Sequence, residues 1–474
     1  VQTCALPIST NTNTPTNTNT PTNTNTPTQT ITPTMTSTPT STITPTMTST
    51  PSPTPCICFP QGSGFNLTQG SVMTIEEDTT TNRIYVGGFF SSYNGIAQSS
   101  MTALDATTSQ LVSAFTGNTT GTQPVYDIKV QPDSKVLLGG AFTSWKGVAT
   151  GYKLVRVNSD GTKDTSFNIG TGFTGDVWNI YVEPSGKIMV GGTITQLSGQ
   201  SIGGIVRLNS VGSIDTTFSG RTTGFTFAGG AFNGVQEIIS DGGTGYFVSG
   251  NFTAYNGTAC NDIVRLNNDG SLNGSFNAAI FSGSNRIISI DLQTSTGYVI
   301  GSNGAGNNVI ALNTSGNVVW SASTSMSEVN YVEVQPDNKI IVGGRLGGTG
   351  NAISRLTAAG AIDGTFIQPS FVMTSQPDWG VMDIIVNDGC YYIGGTWTSV
   401  NGYIGTQVAR LYNNGSLDMC NPIPVSPTPT NTPTKTATPS ITPSASVSPT
   451  ITPTMTSTPT PSITPSSKIG RAHV

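Results

Sequence analysis

Seven times the chain drives a hydrophobic strand into a glycine-bearing step: IYVGGFF from Ile84, VLLGGAF from Val136, IMVGGTI from Ile188, YFVSGNF from Tyr246, YVIGSNG from Tyr298, IIVGGRL from Ile340 and YIGGTWT from Tyr392. The first residue of each step falls at 87, 139, 191, 249, 301, 343 and 394, a period of 52, 52, 58, 52, 42 and 51 residues. Fifty residues are too many for one hairpin and suit a four-stranded sheet. Such a sheet cannot bury both faces alone, so seven of them must stack, and stacking with closure predicts an all-β, seven-bladed β-propeller.

Each unit parses into strands. In VYDIKVQPDSKVLLGGAFTSWKGVATGYKLVRVNSDGTKDTSF, VYDIKV alternates apolar and polar positions, QPDSK turns the chain, VLLGGAF is a buried run, and NSDG turns KLVRVN into a short last strand ending at Phe167. Helical periodicity is absent. A glycine pair inside a strand marks a bulge or a close backbone approach.

The flanks speak another language. Residues 9–55 and 425–467 are almost only Thr, Pro, Asn and Ser, in phrases such as NTNTPTNTNTPT and SPTPTNTPTKTATPS. With so few large apolar side chains they cannot offset the entropy of folding, and regular proline biases them toward extended polyproline II. They read as disordered stalks around a domain at 56–424, each able to reach on the order of 130 Å at about 3.1 Å per residue. Thr-Pro tracts also suit O-glycosylation.

The outermost residues read as translated sequencing adapter. Codons for VQTCALPI at 1–8 can be chosen whose reverse complement spells IGRAHV, the end of the segment at 468–474. Discounting both ends removes the only histidine, His473, together with Cys4, Lys468 and Arg471, and leaves 17 basic against 24 acidic residues, a net charge of about −7. Such a balance speaks against nucleic acid as a partner. No run of eighteen apolar residues offers a membrane span.

The repeats resemble the delta-60 repeat family, whose pattern is an apolar strand, QPDGK, IxxGGxF, a loop ending in NG, then RLNxDGSxDxxF. The resemblance is carried by QPDSK at Gln131, EPSGK at Glu183, QPDNK at Gln335, RLNNDGSLNGSF at Arg265 and RLTAAGAIDGTF at Arg355. It covers units two, three, four, six and seven. Units one and five, with MTALDATTSQLVSAF and VIALNTSGNVVWSA in place of the arginine strand, are inferred from spacing. The resemblance implies a propeller-like fold and carries over no catalytic residue.

The most regular polar pattern is an arginine with an aspartate eight residues on: Arg156 with Asp164, Arg207 with Asp215, Arg355 with Asp363 and Arg410 with Asp418. An even separation across a turn puts both side chains on one face of a hairpin, so the expectation is a structural ion pair repeated in four units. In the fourth unit Arg265 faces Asn273 instead. A ring of arginines for an anionic ligand is the rival reading. Turns such as NSDG at Asn158 and NNDG at Asn267 hold too few carboxylates for calcium, and no metal site is expected. No CxxC, HExxH or GxSxG occurs, so neither catalytic residues nor a cofactor are expected. Glu76, Glu77 and Asp78 read as a solvated hairpin end before TTTN.

Aromatic residues follow the glycine step: Phe89, Phe90 and Tyr93, then Phe142 and Trp145, Phe252 and Tyr255, and Trp397, each set closing on Asn-Gly or Lys-Gly. Phe89, Phe142 and Phe252 are expected to pack between blades. Tyr93, Trp145, Tyr255 and Trp397 are the candidate ligand-binding residues, a stacking platform on the face carrying these loops. Of the cysteines, Cys56 or Cys58 can bond Cys420, because the two ends of a closed ring are neighbours. Cys260 and Cys390 read as buried thiols. The sequence thus suggests an extracellular display or adhesion protein, or a virion fibre, whose propeller face binds a glycan or protein. The alternatives are a binding module of a larger secreted carbohydrate-active enzyme, or an enzyme in its own right.

Overall fold

The computed structural model describes residues 64–65 and 71–418, apart from 119–122, 150–152, 220–222, 230–232, 244, 278–285, 294–296, 304–307, 347–348, 374–378, 388 and 405–406. The two stalks, the terminal segments, Cys56, Cys58 and Cys420 lie outside these residues.

Each glycine step is the end of a middle strand, flanked by an inner and an outer partner in one antiparallel sheet. The inner strands are Ser71–Asp78, Val125–Val130, Val177–Val182, Val235–Ser240, Ile287–Gln293, Glu328–Val334 and Gly380–Asn387. They pair with middle strands Arg83–Phe89, Val136–Gly140, Ile188–Gly192, Tyr246–Gly250, Gly297–Ser302, Ile340–Arg345 and Cys390–Thr396. Outer strands such as Leu154–Val157 and Ile205–Leu208 complete each set. Every inner strand packs against the inner strand of the following sheet, and the last packs against the first. Among the described residues helix is limited to 3-10 turns, as at Ser113–Phe115. The protein is an all-β propeller.

The glycine steps are explained by this stacking. A Cβ on Gly139 would lie 2.6 Å from Val177 Cγ1 of the next sheet, and one on Gly140 would lie 2.3 Å from the carbonyl oxygen of Pro124. The first glycine therefore admits the neighbouring sheet, and the second admits the bulge of its own inner strand, where the register slips between Val125 and Asp127. The same slip recurs in all seven inner strands.

Among the described residues, a fourth strand extends the ladder of the fifth of these sheets at Val318–Ala322. Elsewhere the fourth strand shrinks to a single bridge, as between Val157 and Lys163 or Leu208 and Ile214. In the second sheet Asp164 turns inward to Arg156 and its carboxylate accepts the Ser166 N–H, which bends the chain away from the ladder.

Candidate functional site: the channel wall and the rim hairpins

The repeated ion pairs form a staple between sheets. Arg156 Nε meets Asp164 Oδ2 at 2.8 Å, Arg207 Nε meets Asp215 Oδ2 at 2.7 Å, Arg355 Nε meets Asp363 Oδ2 at 2.8 Å, and Arg410 Nη1 meets Asp418 Oδ2 at 2.9 Å. In the first three the other arm of the guanidinium donates to a carbonyl of the following sheet: Ser210, Asn268 and Asn413, each at 2.6 Å. The same arginines lie over Phe167, Phe218 and Phe366. Their forks are thus used within the protein. Hydrogen bonds from the Thr365 hydroxyl and amide and from Arg355, working against desolvation, hold Asp363 well below the usual carboxylate range. Arg265, which lacks an aspartate eight residues on, pairs with Asp241 at 2.8 Å.

Along the axis the inner strands place a second polar set. In five of the sheets the residue opposite the glycine step reaches the backbone of the next sheet: Asp127 accepts the Ile180 N–H at 2.6 Å, Asn179 that of Ile238 at 3.0 Å, Ser289 that of Val332 at 3.1 Å, and Glu237 that of Ile290. Asp383 closes the circle on the Ile75 N–H at 2.8 Å. Two residues further along, Asp291 accepts the Val334 N–H at 2.6 Å, while Glu76 faces the Val130 N–H at 3.4 Å. Glu333 accepts the Tyr331 hydroxyl.

Five carboxylates, Glu76, Asp127, Glu237, Glu333 and Asp383, interact electrostatically with Lys129, whose Nζ lies 3.4 Å from Asp127 Oδ1 with its side chain 37% exposed. Their charges act across non-adjacent sheets, which only a shared axial space permits: Lys129 feels Glu76, Asp383 and Glu237 as well as Asp127. Burial pushes Glu76 up to about 7, Glu237 to about 8, Glu333 to about 7 and Asp383 to about 6. Burial opposes the charge on Lys129, but the surrounding acids, Asp127 first, raise its affinity for the proton. Beside the inner strands of the sixth and seventh sheets, a cavity of ≈ 560 Å³ is lined by residues that include Glu333, Gln335, Asp337, Asn387 and Asn413.

The reading of Glu76, Glu77 and Asp78 as a solvated end is corrected by this geometry. All three belong to the first inner strand; Glu77 is bonded by Asn387 across the closure, and Asp78 caps the turn through Thr80 and Thr81. Strand alternation, hidden by the three adjacent acids, was the available signal.

The aromatic platform is corrected too. Tyr93, Trp145, Tyr255 and Trp397 are all buried. Tyr93, Trp145 and Tyr255 lie six residues past the first step position, on hairpins that double back along the sheet. Tyr93 Oη donates to the Ser109 carbonyl at 3.1 Å, Trp145 Nε1 to that of Gly161 at 3.1 Å and Tyr255 Oη to that of Gly270 at 2.6 Å, all in the turn beyond the outer strand. Trp397 belongs to the inner set with Phe142 and Phe252, and packs edge-on against Phe371 at 5.3 Å. These rings hold the hairpins down.

The hairpins share one frame. Asn94-Gly95, Lys146-Gly147, Ser198-Gly199, Asn256-Gly257 and Asn401-Gly402 all have left-handed φ at both positions, between 47° and 81°, as a two-residue type I′ turn requires. Four of the five turns clamp the segment that enters their sheet. Asn256 N donates to Gly224 O at 2.7 Å and its Oδ1 accepts the Gly224 N–H at 2.9 Å; Asn401 does the same with Ser370, at 2.7 and 2.8 Å. Asn94 repeats it with Gly64, and Ser198 N reaches Gly172 O. A phenylalanine follows each clamped residue: Phe65, Phe173, Phe225 and Phe371. This Gly-Phe or Ser-Phe signal before a unit was present in the sequence and went unread. Directly after the turn comes an exposed residue that differs in every unit: Ile96 (56% exposed), Val148 (61%), Gln200, Thr258 and Tyr403 (45%).

Cys260 is half-buried and Cys390 buried, both free thiols pushed by burial up to about 11. Among the described residues no group of three or more acidic, cysteine or histidine side chains has the arrangement of a metal site, and no helix is long and apolar enough to cross a membrane.

Comparison with known proteins agrees with this architecture. Residues 131–167, 183–218, 246–276, 335–366 and 387–419 match the family described as "Domain of unknown function (DUF5122) beta-propeller". No curated protein sequence matches the chain. Among solved structures the chain is similar to the extracellular domain assigned to a one component system of B. thetaiotaomicron, at 11% identity over 72% of this chain and 39% of that one, with a TM-score of 0.45. The chain therefore spans well under half of that protein. It is also similar to the WD40 beta propeller domain of Doa1 (13% identity, 72% and 95% covered, TM-score 0.44) and to virginiamycin B lyase from Staphylococcus aureus with quinupristin (16%, 62% and 83%, 0.41).

Proposed function

We propose that the chain is an extracellular, non-catalytic binding module: a seven-bladed propeller carried between two Thr/Pro-rich stalks, serving in adhesion, display or a virion fibre, with a glycan or protein as ligand. The observation that carries this reading is the contrast between a constant frame and variable tips on the rim hairpins. The turn geometry, the buried ring and the clamped segment recur, while the exposed residue after the turn changes from Ile96 to Val148, Gln200, Thr258 and Tyr403. A fixed scaffold with side chains varied only where they meet solvent is the economy of a recognition surface. The apolar tips fall on the seventh, first and second sheets, which are consecutive in the ring.

The axial carboxylates support the non-catalytic part of the reading. Asp127, Glu237, Asp291 and Asp383 accept backbone N–H groups of the following sheet, so these oxygens are engaged in closing the ring. The test is a glycan array and a panel of surface-protein extracts probed with the wild-type domain and with an Ile96→Ser, Val148→Ser, Tyr403→Ser variant. Binding by the wild type that the triple variant loses, with both equally folded, is the expected result. Binding unchanged by the triple substitution removes the rim from the proposal. A catalytic turnover abolished by Glu237→Gln would overturn the non-catalytic reading.

A further inference from the structure

One connection in the ring is shorter than the rest. Across the turn between inner and middle strand, the paired core residues are ten apart in the second to sixth sheets, as in Ile128 with Leu138 and Val332 with Val342, and eleven apart in the first, Ile75 with Val86. In the seventh they are nine apart, Ile384 with Ile393, and Asn387 already pairs with Cys390. The cavity of ≈ 560 Å³ opens where this short turn meets the longer QPDNK turn of the sixth sheet: Gly389 lines it from one, Pro336 and Asp337 from the other. It lies at the end of the strands opposite the rim hairpins, which follow the glycine steps.

A hydrogen-bond network beside the cavity fixes which ends of two amides are left over. The Tyr391 hydroxyl donates to Asn413 Oδ1 at 2.7 Å and accepts from Gln335 Nε2 at 2.8 Å and from Arg355 Nη1 at 3.2 Å. Asn413 Oδ1 takes a second bond from Arg355 Nη1 at 3.0 Å, so its amide nitrogen is the end left for a guest. Gln335 has spent its nitrogen, and its Oε1 is buried without a partner. The residues at the same place in the second and third sheets use that oxygen within the seam: Gln131 Oε1 accepts from Arg156 Nη1 at 3.3 Å, and Glu183 Oε1 from the Tyr246 hydroxyl at 2.6 Å. A buried acceptor left unmet is costly, which favours a guest hydroxyl that reaches it.

The other lining groups include the carboxyls of Glu333 and Asp337 and an apolar patch of Leu292, Val334 and Val386. Neither carboxyl is a bare charge, since Asp337 pairs with Lys339 at 3.7 Å and Glu333 accepts the Tyr331 hydroxyl. No described lysine, arginine or aromatic ring lines the cavity, which disfavours an anion and a stacked base. We propose that this cavity binds a neutral mono- or disaccharide, with the sugar's C–H face against Leu292, Val334 and Val386 and its hydroxyls on Gln335, Asp337 and Asn413. A sugar ring fits this lining because it is apolar on its faces and carries donors and acceptors together on its edge. The volume is that of a small-molecule site. The proposal goes beyond the rim reading and does not depend on it.

The test is saturation-transfer NMR on the full chain with methyl α-glucoside, methyl β-galactoside, methyl α-mannoside, N-acetylglucosamine and maltose as probes, and spermidine as a cationic control. The expected result is transfer to at least one sugar, an affinity about tenfold weaker in Asp337→Ala, as for the loss of one hydrogen bond to a charged group, and no binding in Val386→Phe, whose ring occupies the cavity. The rim variant Ile96→Ser, Val148→Ser, Tyr403→Ser is expected to bind the same sugar as the wild type does. Absence of transfer to every sugar overturns the proposal, and spermidine binding that Val386→Phe abolishes then assigns the cavity to a cation instead. Sugar binding that both cavity variants keep also overturns it, and its loss in the rim variant moves the sugar to the rim. Near-UV circular dichroism and melting temperature establish that each variant is folded; Asp337, with its side chain 57% exposed, supplies the decisive substitution where Val386→Phe does not fold.

Discussion

At the scale of single residues, what most limits substitution is the space a Cβ needs. Gly139 sits where the second sheet meets Val177 and Ile180 of the third, with 2.6 Å left to the nearest methyl. Gly139→Ala is expected to destabilise the domain by about 1–3 kcal/mol, the range for overpacking a tight core. Val177→Ala in the same background should recover part of that loss, because it removes the clashing methyls. Urea unfolding of the two single variants and the double gives a coupling energy, and additive losses would show that the two sites do not share the contact. The sequence displayed the glycine pairs plainly. It did not distinguish their roles, since one glycine answers to the next sheet and the other to a bulge within its own, and only the tertiary neighbour separates these demands.

At the scale of elements, the rim hairpin joins two sheets as well as turning the chain. Asn256 contributes both a left-handed φ of 47° and a side-chain oxygen for the Gly224 N–H. The two contributions separate by substitution. Asn256→Gly keeps the conformation and loses the acceptor, an expected cost of about 1 kcal/mol. Asn256→Ala loses both and should cost about 1–2 kcal/mol more, the strain of a Cβ in the left-handed region. Equal costs for the two variants in denaturant melts would show that the backbone conformation carries no strain. The same hairpins show why the aromatic platform was misread. Asn-Gly and Lys-Gly announce a tight turn but not the direction in which it folds, and Trp145 is buried because its indole reaches Gly161 at the far end of the sheet. The Arg207–Asp215 pair was legible from its even spacing. Its second bond, to Asn268 in the following sheet, lies 61 residues away and had no local signature.

At the scale of the whole molecule, ring closure brings five carboxylates under the influence of one lysine, and pH should reveal it. Glu76, Glu237, Glu333 and Asp383 bind protons more tightly when folded than when unfolded, because burial raises each of them. The folded state therefore holds more protons between the unfolded carboxylate range and about 8, and stability should fall as pH rises through that window. Below it the sign reverses. Asp164, Asp215 and Asp363 are held low, against their own desolvation, by hydroxyl, amide and cationic partners, so their contribution is lost only as pH falls below the ordinary carboxylate range. Unfolding free energies measured from pH 4.5 to 8 should decline steadily, and Glu237→Gln should flatten the upper part of the slope. A profile that rises across this interval would mean that the axial acids are solvated and unshifted.

The sequence by itself determined the all-β character, the strand and turn within each unit, and the arginine–aspartate pairs. Each of these rests on chemistry between residues close along the chain, where periodicity and turn preference act directly. Tertiary structure decided what lies between units. It buried the four aromatic rings, turned Glu76 of the first strand toward the axis, and reduced the fourth strand of six sheets to a bridge. Those outcomes depend on which surfaces remain uncovered once seven sheets close on one another, and that is a property of the ring.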